Sequence, residues 1–342
     1  MLTIAVIVIL LAFAFTFTNG FQDASSIAAT FIASRSATPR QGIIFVAALV
    51  LLGALMGGSA VAFTLSGLLA IEPSLDLLPV LLAALLSAIT WNLLTWRFGL
   101  PSSSTHALVG GLVGAGIAAA GMDSISWGFG DLLLPPHELT GLVKILVFLV
   151  LSVALGFIAG YLMEKVTKFL LRNATRRVNR SIISLNWAAA GAMAFANGAN
   201  DAQKQMGIIA LALLAAGYTA VLDIPLWARA GCALLLGLGT LGGGWRIMTT
   251  LGRRIFSVKP IHSFNSQVAS GAAIAVSTFS GAPISSTHII SLSVLGVGAA
   301  ENPKKVHWAV ARDIVTAMLM TIPVTLVLAA AIWYAVTLLI GG

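Results

Sequence analysis

Long apolar runs, separated by short segments that carry the basic residues, leave this chain few folds to adopt. The runs cover residues 2–31 with a polar interruption, then 43–71, 77–96, 107–121 and 142–163. After a basic stretch come 187–217, 226–244, 268–279, 289–300 and 314–340. About 20 apolar residues span a bilayer as a helix, and in lipid a helix satisfies its own backbone without water. Ten crossings or half-crossings therefore describe an all-α polytopic membrane protein. Charged residues make up 9% of the chain, against about a quarter in soluble domains. That excludes a soluble enzyme and a disordered chain. The net charge of +8 sits in loops between spans, which is a membrane pattern and gives no reason to expect nucleic acid. A single cysteine, Cys232, excludes a disulfide scaffold and any multi-cysteine metal site.

No basic residue precedes the first run, and no small-residue cleavage site follows it, so it reads as part of the mature fold. The distribution of charge orients the spans. With the central basic stretch (Lys165 to Arg180) in the cytoplasm, alternation places 16 of the 19 Lys and Arg on the inner side. Glu72, Asp76, Asp123, Asp131, Glu138 and Asp223 then fall outside. Both termini are expected outside, in a cell (cytoplasmic) membrane. Five crossings on each side of the basic stretch is an odd number, so any repeat between the halves has inverted topology. The organisation read from this is a first transmembrane repeat over 1–163, a basic cytoplasmic linker over 164–186 and a second, inverted repeat over 187–342.

The repeat is visible in two motifs. Asn19-Gly20-Phe21-Gln22-Asp23-Ala24 matches Asn197-Gly198-Ala199-Asn200-Asp201-Ala202, and Pro101-Ser102-Ser103-Ser104-Thr105-His106 matches Pro283-Ile284-Ser285-Ser286-Thr287-His288. Their order and offset agree, as duplication requires. Polar interruptions at matching positions of two inverted halves point to the binding site of a secondary transporter.

Asp23 and Asp201 are the acidic residues in mid-run. A carboxylate at bilayer depth costs about 2.5–3.5 kcal/mol on insertion scales. A coupling cation, Na⁺ or H⁺, is the simplest compensation, with Asn19, Gln22, Asn197 and Asn200 supplying further oxygens. The adjacent glycines are expected to let each helix unwind there. The alternative is that the acids pair with a buried basic group such as Lys204. In the second motif, proline ends one helix and Ser or Thr caps the next, so a half-helix is expected to begin inside the membrane. Two such positive ends would converge on an anion, held by Ser103, Ser104, Thr105, Ser285, Ser286 and Thr287. Lys204, which has Ser26 as its counterpart, either helps to hold that anion or neutralises Asp201. His106 and His288 read as structural groups rather than proton carriers. Arg97 is either an inner anchor or a group facing the anion.

These motifs, with Gly243-Gly244-Trp245-Arg246 and Leu251-Gly252-Arg253-Arg254-Ile255, resemble the inorganic phosphate transporter (PiT) family over nearly the whole chain. The resemblance implies an inverted-repeat fold with two re-entrant hairpins. It also implies symport of phosphate with Na⁺ or H⁺, with Asp23 and Asp201 serving the cation and the serines and threonines contacting phosphate. Gln22 departs from the Asn-Asp of many members, and sulfate carriers share the family. The expected function is thus phosphate symport into the cell by alternating access, with a sulfate permease as the alternative and an anion channel behind it. An enzyme is not expected, since metalloprotease, diphosphate and nucleophile-elbow motifs are missing, and no P-loop supports an ATP-driven pump. No cofactor is expected. The partners are phosphate and the lipid bilayer, and a homodimer stays open.

Overall fold

The computed structural model describes residues 2–175, 177–242 and 244–340; Gly243, cited above, and Arg176, within the basic stretch, lie outside them. Among the described residues the α-helices are α1 (Leu2–Ala33), α2 (Pro39–Met56), α3 (Ala60–Ser66), α4 (Leu77–Phe98), α5 (Ser104–Ala120), α6 (Phe129–Leu133), α7 (Gly141–Leu170), α8 (Val178–Ala215), α9 (Leu226–Leu241), α10 (Trp245–Thr249), α11 (Pro260–Phe279), α12 (Ser286–Glu301) and α13 (Trp308–Ile340). Among the described residues, α1, α2, α4, α7 and α13 are long and apolar enough to cross a membrane, and α5 and α9 are shorter apolar helices. The protein is a multi-span membrane protein.

Local sequence explains the ends. Thr38 opens α2 with a capping box to Gln41, followed by Pro39. Gly99 (φ 66°) and Gly281 (φ 64°) take left-handed conformations just after α4 and α11. Pro101 and Pro283 follow, and then Ser103 and Ser285 cap α5 and α12 by accepting from the N–H of His106 (3.1 Å) and His288 (3.3 Å). Each Pro-Ser motif is thus the turn of a helical hairpin, α4–α5 or α11–α12.

Packing matches between the halves. α1 packs on α4 and α9, and α8 on α11 and α2. α5 lies against α4 and α13, and α12 against α11 and α7. Glycines set the closest approaches. A Cβ on Gly198 would lie 2.0 Å from Val50 O, and one on Gly20 would lie 2.4 Å from Leu236 O. Those helices touch backbone to backbone, as small residues permit in lipid.

One expectation is corrected by these helices. α1 and α8 run unbroken through Asn19–Asp23 and Asn197–Asp201. The glycines expected to unwind the helices are used for close packing, and the carboxylates of Asp23 and Asp201 find side-chain partners without freeing backbone. The breaks fall instead within the runs 43–71 and 226–244, at Gly57-Gly58 before α3 and between Leu241 and Trp245. Arg229 braces the first break, donating to Gly57 O and, at 3.1 Å, to Ser59 Oγ. α7 and α8 also extend into the basic stretch, ending at Leu170 and starting at Val178.

Candidate functional site

α1 and α8 carry Asp23 (2% exposed) and Asp201 (0%) into the interior, where the first turns of α5 and α12 meet them. One carboxylate oxygen of Asp23 accepts a short hydrogen bond from Ser104 of α5, and the other accepts one from Thr287 of α12. Ser104 Oγ also lies 2.9 Å from Asn19 Oδ1. Asp23 is therefore held by both hairpins at once.

Asp201 shows the same arrangement with one change. Ser286 Oγ of α12 donates to it at 3.1 Å. The place that Thr287 takes at Asp23 is here occupied by Lys204, one turn along α8. Its Nζ lies 2.5 Å from Asp201 Oδ1, 2.6 Å from Thr105 Oγ1 and 3.1 Å from Ile284 O. Thr105 donates to Ile284 O at 2.8 Å. Lys204 is 1% exposed, and a buried ammonium needs this partnership, since an uncompensated ion costs several kcal/mol there.

The amides around the acids are only partly satisfied. Both side-chain atoms of Asn197, Oδ1 of Asn200, Nδ2 of Asn19 and Oγ of Ser26 have no hydrogen-bond partner although buried. Each such atom costs about 1–3 kcal/mol unless a ligand or water serves it. Gln22 donates to Thr95 of α4 at 2.9 Å, and Asn200 donates to Thr278 of α11 at 3.0 Å. The longer Gln22 thus binds the hairpin helix of its own half as Asn200 does. His106 and His288 bring the two helix starts together, with ring centroids 4.7 Å apart. His106 Nδ1 bonds Ser103 Oγ at 2.7 Å, while neither ring nitrogen of His288 has a partner.

All thirteen residues expected at the site are buried. The structure joins Asp23, Asn19, Ser104 and Thr287 in one group and Asp201, Ser286, Lys204 and Thr105 in another. Ser103 and Ser285 serve as helix caps. Arg97 is exposed on the last turn of α4 and is not in either group.

A second polar cluster joins α7, α11 and α12. Asn265 Nδ2 donates to Glu164 Oε2 at 2.7 Å, and Thr167 donates to Asn265 Oδ1 at 2.9 Å. His262 Nε2 lies 3.9 Å from Glu164 and 4.0 Å from Glu301, and Lys168 pairs with Glu301. His262 Nδ1 accepts from the N–H of Lys259 at 3.2 Å, so Nε2 of the neutral ring carries the proton and faces the carboxylates. The hydrogen bonds of Asn265 to Glu164 and Thr167 tie α11 to α7, and His262 stands between the carboxylates of Glu164 and Glu301. The cluster's residues lie far apart in sequence and form no motif; the signal available was Glu164, an acid at the end of an apolar run.

Known proteins share this architecture. The phosphate transporter family's sequence profile matches residues 19–329. The chain is 35% identical over 337 residues to a probable low-affinity inorganic phosphate transporter of Bacillus subtilis (strain 168), covering 98% of this chain and 97% of that one. It is 36% identical to a protein of the same description from Rhizobium meliloti (strain 1021), with 96% of each chain covered. A solved structure described as the sodium-dependent phosphate transporter superposes with a TM-score of 0.86 at 24% identity, over 98% of this chain and 99% of that one. With the profile extending from the first acidic motif nearly to the end of α13, the chain belongs to the phosphate transporter family.

Proposed function

We propose that the protein is a secondary active symporter that carries inorganic phosphate into the cell with Na⁺, and is not an enzyme. One observation carries the reading: each buried acid is tied to the first turns of both α5 and α12, Asp23 directly and Asp201 through Lys204. A cation at Asp23 and an anion at those helix starts would share the same hydroxyls. Occupying one seat then alters the other, which is what coupling requires.

Phosphate sits at the N-terminal ends of α5 and α12, where free N–H groups and the helix dipoles favour an anion. Na⁺ takes oxygens from Asp23, Asn19, Ser104 and Thr287, hard donors suited to it. The relatives described as phosphate transporters and the solved structure described as sodium-dependent support both assignments. The halves 1–163 and 187–342 act as inverted repeats that rock about this site, a reading supported by their matched packing and matched hairpins. The bias of Lys and Arg supports both termini outside.

The test is radiolabelled phosphate uptake into proteoliposomes, with Na⁺ and pH gradients imposed separately and sulfate as competitor. Uptake driven by the Na⁺ gradient and resistant to sulfate is the expected result. Uptake driven by the pH gradient alone would replace Na⁺ by H⁺, and strong sulfate inhibition would replace phosphate.

A further inference from the structure

The two halves differ at one chemically decisive position inside their otherwise matched sites. In the first half, Ser26 stands one turn beyond Asp23; in the second, Lys204 stands one turn beyond Asp201. Ser26 Oγ is buried without a partner, and Thr287 reaches Asp23 directly. In the second half the ammonium lies among three oxygens, those of Asp201, Thr105 and Ile284, all within 3.1 Å. A carboxylate, a hydroxyl and a main-chain carbonyl are the ligand types an alkali cation recruits. The Lys204 ammonium is a cation of the same charge already seated there.

We infer that Lys204 is a tethered substitute for a second coupling cation, so that Na⁺ is exchanged at Asp23 alone. The inference rests on the symport reading above. It makes Lys204 a residue that sets the number of cations moved per phosphate. Because the ammonium is covalently held, Asp201 is neutralised in every state of the cycle. Asp23 is neutralised only when Na⁺ arrives.

The experiment compares wild type with Lys204→Ser, which copies the first half. Equilibrium binding of radiosodium counts sites per chain, and reversal potentials in proteoliposomes give Na⁺ moved per phosphate. The variant is expected to bind one Na⁺ more than wild type and to move one more per phosphate. Its Na⁺ activation curve steepens from a Hill slope of about one to about two. Equal counts in a monodisperse variant overturn the inference, as does wild type that binds two Na⁺. Lys204→Gln keeps the chain length and a donor toward Thr105, and gives the same comparison where the serine variant is not monodisperse. Failure of the symport reading is separable: wild-type uptake that ignores the Na⁺ gradient removes Na⁺ coupling, while an extra radiosodium site in the variant still supports the role of Lys204.

Discussion

Replacing each acid by its amide separates their roles. Asp201→Asn leaves Lys204, at 1% exposure, without its counter-charge. Breaking a buried pair from one side costs about 3–5 kcal/mol. At about 2.1 cal/mol/K of unfolding entropy per residue, a chain of 342 residues has roughly 0.7 kcal/mol/K, so 4 kcal/mol lowers the melting temperature by about 6 °C on the soluble-protein scale. Asp23→Asn behaves oppositely. It removes an unpaired buried charge worth about 2.5–3.5 kcal/mol of insertion cost and keeps a group that Ser104 and Thr287 can bond. Its melting temperature in Na⁺-free buffer stays level or rises. Na⁺ binding, however, loses a full charge contact, about 4 kcal/mol at 4 Å in an effective dielectric of 20, or about a thousandfold in affinity. Thermal melting of the detergent-purified variants and Na⁺ titration of phosphate uptake measure both effects. Equal melting of the two variants would refute the pairing argument. Half-saturation by Na⁺ within about threefold of wild type in Asp23→Asn would refute the ion site.

Other substitutions probe the hydroxyls and the packing. Thr287→Ala removes a donor from Asp23 and is expected to raise the Na⁺ half-saturation by about ten- to a hundredfold, since bonds to charged groups are worth roughly 1.5–3 kcal/mol. Thr105→Ala takes a partner from Lys204 and Ile284 O, so weaker phosphate affinity is expected in uptake titrations together with a loss of about 1–3 kcal/mol in stability. Gly198→Ala drives a Cβ toward Val50 O and is expected to destabilise by about 1–3 kcal/mol or more in melting, whereas Gly130→Ala, where nothing lies within 4 Å, is expected to be silent. Glu164→Ala strands the buried Asn265 amide, with a loss of about 1–3 kcal/mol and no change in the Na⁺ count per phosphate.

Much of the candidate site was legible because its motifs are written twice. Asp23 and Asp201 stand out as acids inside apolar runs, and each Pro-Ser motif carries its own helix stop and cap, so the hairpins at Ser103 and Ser285 follow from local chemistry. The continuity of α1 and α8 was hidden by the same motif. Gly20 and Gly198 beside polar residues suggest unwinding, and only the opposing backbones of α9 and α2 explain them as contact points. Gly57-Gly58 did carry a break signal, but it lies inside an apolar run whose hydropathy masks it. The junction of Glu164, His262 and Asn265 depends on three helices meeting, and no linear pattern encodes that.

The departure from symmetry explains more about mechanism than the symmetry does. Two identical acidic seats, each filled by a diffusible cation, would make loading of either half equivalent. Here one seat is filled by the chain itself, and its ammonium ties α8 to Thr105 and Ile284 on the two hairpin turns. The other, at Asp23, is closed only by hydroxyls that an arriving cation can redirect. Under the inference above, the half carrying Asp201 would have a fixed electrostatic balance, and the half carrying Asp23 one that depends on the ion outside. A ligand shifts a conformational equilibrium only by its differential affinity for the two states. On the symport proposed above, that difference would be generated at Asp23 and not at Asp201, and the cation gradient would act on the cycle through the contacts of α1 with Ser104 and Thr287.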